Sequence, residues 1–445
     1  MAFLTLLQSN LWVPQRRLRV VMIGGGASGL NVAHHMNLHM ENYELQIYEK
    51  NYDIGGTWFE NSYFTSAEIL TYFKGVATKY DLYKNIQLNH QVTAAAWDEN
   101  QGIWNVEVKN LNTGSVIQDW GHVLINGCGV LNNWKRPEIP GLHSFAGDLI
   151  HSAAWPDSQD LTGKAVAVLG CGSSGVQIVP TIQPRSKRSL LSFGRRRGSQ
   201  PGLPNALRVQ EEKTSHALLP DFAVGCRRPT PGNGYLEALT KPNVHVVTDH
   251  ISHVVPEGIV LVTGETVHIN TFICPTGFDL SFAPRFSVVG RHGRDLAEEW
   301  KKKPRAYLSV AAPDFPNYFN KYATHSYLHR SLIQVCGIKA VSPLASAVDE
   351  FDTHINEFMK RTAWTTPCRS WFKNGTVDGP IVALHPGSRI HWFHMLADIR
   401  FEDWEFTYLT RNRFQYLGNG FSTMEEPGKD TTRYFDQPQD GYRSF

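Results

Sequence analysis

Two glycine turns carry the chemistry that can be read directly from residue types and spacing. Gly24, Gly26 and Gly29 form G-x-G-x-x-G around Ala27 and Ser28, and Gly170, Gly172 and Gly175 repeat it around Cys171, Ser173 and Ser174. In such a turn the first glycine permits the tight bend, the second lets backbone approach a pyrophosphate, and the third lets a helix pack on a strand. The helix that follows offers unpaired N–H groups to the phosphates. Glu49 lies about 20 residues beyond Gly29, where an acid can bond ribose hydroxyls. At the matching place after the second turn stand Gly194 and Arg195, followed by Arg196 and Arg197. A basic residue there suits the 2′-phosphate of NADP; the alternative is a solvated surface turn. Gln177, on the helix after the second turn, joins this set.

These turns need a strand before them and a helix after them. Leu18-Arg-Val-Val-Met-Ile23 reads as a buried parallel strand, Leu30–Met36 as the helix, and Glu44–Tyr48 as the next strand, ended by Glu49. The second unit repeats the order: a strand over Ala165–Leu169, a helix opening at Val176, and a strand over Leu190–Phe193. Gly121–Gly129 reads as a strand running into a glycine turn. From Asn243 the pattern becomes β-rich, and Thr271–Cys274 before Pro275-Thr-Gly-Phe-Asp279 is expected to return the chain to the first sheet. The stretch 196–220 is polar and rich in Pro and Gly, a linker pattern, and 423–445 reads as a loose polar tail. Two fingerprints imply two dinucleotides, and the usual pairing is FAD with NADPH.

The bulk properties exclude several classes. In 445 residues, 43 Lys and Arg face 41 Asp and Glu, a net charge of +2 that predicts neither nucleic-acid nor membrane-surface binding. Hydrophobic residues make up 42% of the chain, enough to bury a core. No apolar run reaches the roughly 18 residues of a spanning helix, so a soluble, cytoplasmic protein is expected. Cys128, Cys171, Cys226, Cys274, Cys336 and Cys368 show no C-x-x-C or similar spacing. That argues against a zinc ribbon, a disulfide framework and a dithiol reductase centre. No metal site is expected.

Between the two turns, Phe145-x-Gly147-x-x-x-His151-x-x-x-Trp155-Pro156 resembles the signature of class B flavin monooxygenases in their Baeyer–Villiger form. His151 is read as a hinge or structural histidine there. Gly55-Gly56-Thr57-Trp58-Phe59-Glu60 resembles the family stretch that lies along the flavin. Pro275-Thr-Gly-Phe-Asp279 resembles the family's A-T-G-F-D segment, with Pro for Ala. Cys226-Arg227-Arg228-Pro229 is similar to the segment carrying the catalytic arginine, which places that role on Arg228. The chemistry calls for a guanidinium that stays charged and stabilises negative charge developing during oxygen transfer. The C-terminal segments Pro367–Thr376, Trp392–Met395 and Tyr416–Gly420 look like the closing half of the flavin domain in fungal members, of the sterigmatocystin and aflatoxin type.

The resemblance implies an α/β fold with two Rossmann-like domains, the NADP domain inserted into a discontinuous FAD domain. The expected boundaries are 1–160 and 271–422 for the FAD domain, 161–270 for the NADP domain with a shortened insert at 196–220, and 423–445 for the tail. The implied activity uses FAD, NADPH and O2 to convert a ketone, of a polyketide in mycotoxin-type secondary metabolism, to an ester or lactone. No oligomeric state follows from the sequence.

Three departures qualify that activity. After Tyr63 the family continues with P-G-x-x-x-D, whereas this chain passes directly to Phe64–Leu70, which resembles the helix beyond. The missing aspartate holds the catalytic arginine in the family; Asp53 and Glu60 are the acids nearest in sequence. Shortenings also fall between Arg195 and Arg228 and around Tyr327–Lys339. A flavoprotein that oxidises NADPH without productive oxygenation is therefore the second expectation.

Overall fold

β1 (Leu18–Ile23) alternates between two cores, and the fold is built outward from that alternation. Leu18, Val20 and Met22 enter one core and Val21 and Ile23 the other, so the strand is buried on both faces. The computed structural model describes residues 16–428 except 61–65, 157, 193–222, 224, 227–229, 231, 280, 302, 321–336, 398–399, 413, 415–416, 423–424 and 426.

Along the chain follow β2 (Tyr43–Tyr48), β3 (Ile86–Gln87), β4 (His90–Asp98), β5 (Ile103–Asn110), β6 (Val116–Gly121) and β7 (Val123–Asn126). Val20 of β1 pairs in parallel with Leu45 of β2 on one side and Val123 of β7 on the other. The helix Ala27–His39 covers one face of this sheet, burying Leu30, Ala33 and Met36 at helical spacing. An antiparallel layer containing β4, β5 and β6 covers the other, with Trp104, Val106 and Val108 against Val21 and Leu124.

The second unit repeats this plan with β8 (Asp148–Ile150), β9 (Ala165–Leu169), β10 (Arg188–Ser192), β11 (Val244–Val247), β12 (Ile251–Val255), β13 (Gly258–Leu261), β14 (Thr266–His268) and β15 (Thr271–Ile273). The parallel order is β11-β10-β9-β15-β8, with the helix Ser173–Ile182 on one face and the antiparallel β12-β13-β14 on the other. Val166 and Val168 face the helix, and Ala167 faces the small sheet. The expectation for Thr271–Cys274 is corrected here. Phe272 pairs with Ala167 of β9 and Leu149 of β8, so β15 completes the second sheet, because its alternate side chains fill that unit's two cores.

After β16 (Ser287–Val289), which extends the β4 layer, the chain re-enters the first sheet through β17 (Tyr318–Asn320), beside β7. The first sheet then reads β17-β7-β1-β2-β3. β18 (Ile338–Pro343) and β19 (Trp404–Tyr408) form a separate antiparallel pair. Asn317 ties these elements together. Fully buried, it donates to the carbonyls of His122 and Lys339 at 3.0 Å each and accepts from the amide of Val341 at 2.9 Å.

A second correction concerns the cysteines. Cys226 and Cys368, 142 residues apart, are joined by a disulfide packed against Trp364. Spacing rules read near neighbours only, and this pair is brought together by the tertiary fold. No helix of the described residues is long and apolar enough to cross a membrane.

His122, between β6 and β7, makes the fold sensitive to acid. Its Nδ1 accepts the Arg19 amide at 2.9 Å, which requires that nitrogen to be unprotonated. Burial, with Arg16 and Arg19 nearby, pushes its pKa down to about 4. An unfolded histidine titrates near 6.5, so between about 6.5 and about 4 the unfolded chain binds more protons and stability falls as pH falls. Thermal melts from about pH 7 to about pH 4.5 are expected to slope less in His122→Gln than in the parent. Because the ring keeps some solvent contact, the difference is on the order of 1–2 kcal/mol at the acid end. Parallel profiles would remove His122 from the acid transition.

Candidate functional site

The first glycine turn leaves the carboxyl end of β1, which lies between β2 and β7. That is the strand-order switch at which open α/β sheets bind ligands. Sterics explain the glycines. Gly24 has φ +103°, and a Cβ there would stand 2.8 Å from the carbonyl oxygen of Gly127; a Cβ on Gly29 would stand 2.2 Å from the carbonyl oxygen of Gly24. Helix and strand therefore meet through bare backbone. The Gly55 amide donates to the Gly25 carbonyl at 3.2 Å, which brings the G-G-T-W stretch against the turn.

Glu49 is buried at the end of β2. Its Oε2 accepts the Gly25 amide at 2.7 Å and its Oε1 the Asn51 amide at 2.9 Å. Glu49 therefore braces the turn from the end of β2 and faces the cavity.

A cavity of about 450 Å³ opens beside the turn, within the range of small-molecule and cofactor sites. Of the expected residues, Gly24, Gly26, Ala27, Ser28, Glu49, Thr57 and Trp58 line it. Gly29 stands behind them at the helix contact. Phe59 packs edge-on against Tyr52, centroids 4.7 Å apart, and Glu60 closes the helical turn Thr57–Glu60.

Several lining residues escaped the sequence reading: Lys50, Asn51, His90–Val92, Gly127–Gly129, Asn132, Asn133, Arg285 and Phe286. The glycine turn after β7 was the available signal for Gly127–Gly129. Nothing local marks His90 or Arg285, because β-sheet pairing across the chain brings them in.

The lining suits a flavin dinucleotide. The bare-backbone turn leaves room for a pyrophosphate, and the buried Oδ1 of Asn132 has no hydrogen-bond partner, an acceptor waiting for a donor. Burial pushes the Cys128 thiol up to about 12, Glu49 adding to the effect while Lys50 and Arg285 oppose it. Cys128 is therefore a neutral wall residue rather than a nucleophile.

The second turn leaves β9, which lies between β10 and β15 at the matching switch. A Cβ on Gly175 would stand 2.4 Å from the Gly170 carbonyl oxygen, whereas the space beside Gly170 and Gly172 is open. Ser173, Ser174 and Gln177 are exposed around this opening and Cys171 is buried beneath it. Ser173 Oγ lies 2.7 Å from Thr230 Oγ1. Gly194, Arg195 and Arg228 lie outside the described residues.

His151 is buried and stacks on Trp134 at 4.5 Å, its Nδ1 accepting the Ala153 amide at 3.1 Å. Burial lowers its pKa. It packs beside the bridged pair Trp134 and Phe278. Asp53, one acid considered as a holder for the catalytic arginine, forms an ion pair with Lys74 at 2.6 Å. Burial pushes its carboxyl up, but Lys74 and the Ile54 amide outweigh this and hold it below the usual range.

Comparison with known proteins follows the same lines. The family profile of flavin-binding monooxygenase-like proteins matches residues 59–200, and that of an NAD(P)-binding Rossmann-like domain matches residues 22–80. The chain is 30% identical to the FAD-binding monooxygenase stcW of Emericella nidulans, over 95% of this chain and 88% of that protein. It is 29% identical to a Baeyer–Villiger monooxygenase of Streptomyces coelicolor, over 83% of this chain and 89% of that one. Among solved structures, cyclohexanone monooxygenase from Rhodococcus, bound to NADP+, superposes with a TM-score of 0.75 at 21% identity, covering 88% of this chain and 99% of that one. At that identity the likeness is one of fold.

The contact between Gly29 and Gly24 gives a direct test of the site. Gly29→Ala is expected to push the helix off β1, to lower stability by about 2–4 kcal/mol in a thermal melt, and to leave purified protein without the yellow flavin absorbance. A yellow variant that melts with the parent would show that the turn tolerates a side chain and is not the flavin cradle. Two bare-backbone turns at two sheet switches, and 30% identity sustained over 95% of the sequence, converge: the chain belongs to the flavin-binding monooxygenase family.

Proposed function

We propose that the chain is an FAD- and NADPH-dependent monooxygenase of Baeyer–Villiger type. It inserts one atom of O2 beside a ketone carbonyl, giving an ester or lactone. The ketone is a polyketide of fungal secondary metabolism, of the kind that leads to mycotoxins. The observation that carries this reading is the pair of glycine turns, each at the switch strand of its own parallel sheet, with a nucleotide-sized cavity beside the first. The fungal FAD-binding monooxygenases and the Baeyer–Villiger enzyme among the relatives support it.

When bound, FAD would supply the electron- and oxygen-transfer chemistry, with NADPH as reductant. The chain supplies position and charge. In this reading Gly24–Gly29 and Glu49 hold the adenosine diphosphate half of FAD, and Thr57–Glu60 flank the ring half. Gly170–Gly175, Gln177, Gly194 and Arg195 hold NADPH, with Arg195 on its 2′-phosphate. Arg228 is the catalytic cation, charged at any working pH and stabilising negative charge that develops on oxygen. The FAD domain comprises 1–160 and 271–422 and the NADP domain 161–270. β8 and β15 are then the crossing strands, since both lie in the second sheet.

One observation favours a second reading, an NADPH oxidase that releases hydrogen peroxide without oxygenating a substrate. The match to stcW runs over 533 aligned positions against a chain of 445, so the relative carries segments that this chain lacks. Those segments bear on coupling, because misplacing a reacting group by an ångström can cost about 100-fold.

NADPH consumption, peroxide release and ester formation, measured together over a ketone panel, separate the two. The monooxygenase gives ester in proportion to NADPH; the oxidase gives peroxide alone. In the first case Arg228→Ala is expected to lower ester formation by about 100-fold or more while NADPH is still consumed. Ester formation at the parent rate would take Arg228 out of the mechanism.

A further inference from the structure

The cavity beside the glycine turn is also lined by a cation on a fixed mount. Arg285 lies two residues before Ser287 of β16, which pairs in parallel with Ala94 of β4, so sheet register carries it towards Val92, at the cavity wall. Its guanidinium donates to Asp279 Oδ2 at 2.7 Å and to the Asp279 carbonyl at 2.6 Å. Asp279 is held in turn. Its amide donates to the Asn133 carbonyl at 2.7 Å, and its Oδ1 accepts the Ser281 amide at 3.1 Å. Burial pushes the Asp279 carboxyl up, but Arg285 and the Ser281 amide outweigh this and keep it ionised. The mount therefore joins the P-T-G-F-D segment to the Asn132–Asn133 loop, which lines the same cavity as Arg285.

Arg285 and the ionised Asp279 together carry no net charge, so what this residue offers a dinucleotide is directed N–H donors at the cavity wall. A pyrophosphate is strongly anionic, and the buried Glu49 carboxylate adds to it. The helix N-terminus after the turn supplies only about half a positive charge. The wall's arginine and lysine are Arg285 and Lys50. Both line the cavity together with Glu49 and Cys128. A guanidinium has more N–H donors than Asp279 takes up, and its fork suits phosphate oxygens.

We propose that Arg285, held by Asp279, donates its remaining N–H groups to the pyrophosphate of bound FAD and sets the preference for the dinucleotide over riboflavin. This rests on the FAD reading above. Asp279 is a positioning residue that acts through Arg285.

The test uses the full-length chain stripped of flavin, titrated with FAD, ADP, riboflavin and adenosine and followed by tryptophan fluorescence. Arg285→Ala is expected to weaken FAD and ADP by about 10- to 100-fold, leaving riboflavin and adenosine within about twofold. Arg285→Lys keeps the charge and loses only a few-fold. Asp279→Asn falls between Arg285→Lys and Arg285→Ala, since the guanidinium remains but is less firmly held. Added NaCl weakens FAD binding more steeply in the parent than in Arg285→Ala. Unchanged FAD affinity in Arg285→Ala overturns the proposal. So does an equal loss for adenosine, which would place the contact on base or ribose. If Arg285→Ala does not fold, Arg285→Gln against Arg285→Lys and the parent's salt dependence decide; equal FAD affinities or a flat salt profile overturn it. A parent that binds riboflavin and adenosine but neither FAD nor ADP overturns it too. A parent that binds none of the four ligands sinks the FAD reading itself.

Discussion

At Gly29 the helix lies against the Gly24 carbonyl with no room for a single carbon atom. The rest of the cofactor end depends on that approach. It sets the helix angle on β1, which fixes where the helix N–H groups point. It places Gly25, whose amide binds Glu49, so the acid at the end of β2 is aligned by the same turn. It also leaves the Gly25 carbonyl to receive the Gly55 amide, which draws the G-G-T-W stretch into place. Two strand ends and a loop are thus fixed by a contact made of backbone alone, a contact that repacked side chains cannot replace.

The same solution recurs in the second unit, and the layers around it explain why. Each parallel sheet has a helix on one face and a small antiparallel sheet on the other, so its central strand must be apolar on both sides. β1 and β9 meet that demand with LRVVMI and AVAVL. A strand buried on both faces has its carboxyl end as its main access to solvent, so the turn that leaves it is where a ligand can meet backbone. The Asn317 side chain then secures the return of the chain, since its three hydrogen bonds link β18 to the His122 carbonyl just ahead of β7. Losing such a buried hub leaves carbonyls and an amide unsatisfied, which costs more than the bonds are worth when made.

Legibility in the sequence followed distance along the chain. Both turns, their strands and helices, and Glu49 were readable because each lies within one βαβ unit, where spacing maps onto geometry. The Cys226–Cys368 bond was not, since 142 residues separate its partners. Nor was the membership of β15 in the second sheet, because Thr271-Phe-Ile273 carries the same apolar pattern whichever sheet it joins. Arg285 escaped for a related reason. It reads as an ordinary surface arginine until sheet pairing of β16 with β4 carries it to the cavity. His90 and Asn132 belong to the same class, cavity residues delivered by pairing and loop closure with no motif of their own.

This difference in origin separates binding from turnover. The groups that cradle a dinucleotide sit at the ends of rigid strands and are fixed by bare-backbone contacts and buried hydrogen bonds. In the function proposed above, oxygenation rests on Arg228, which lies outside the described residues, and the match to stcW runs over more positions than this chain has. Of the acids near the flavin loop, Asp53 is committed to Lys74. An ionised carboxylate in a good ion pair does not leave it for a second cation without losing the first, so Asp53 cannot hold Arg228 at no cost to the loop it anchors. On the function proposed above, affinity for the cofactors and efficiency of oxygen transfer are therefore set by different parts of this chain.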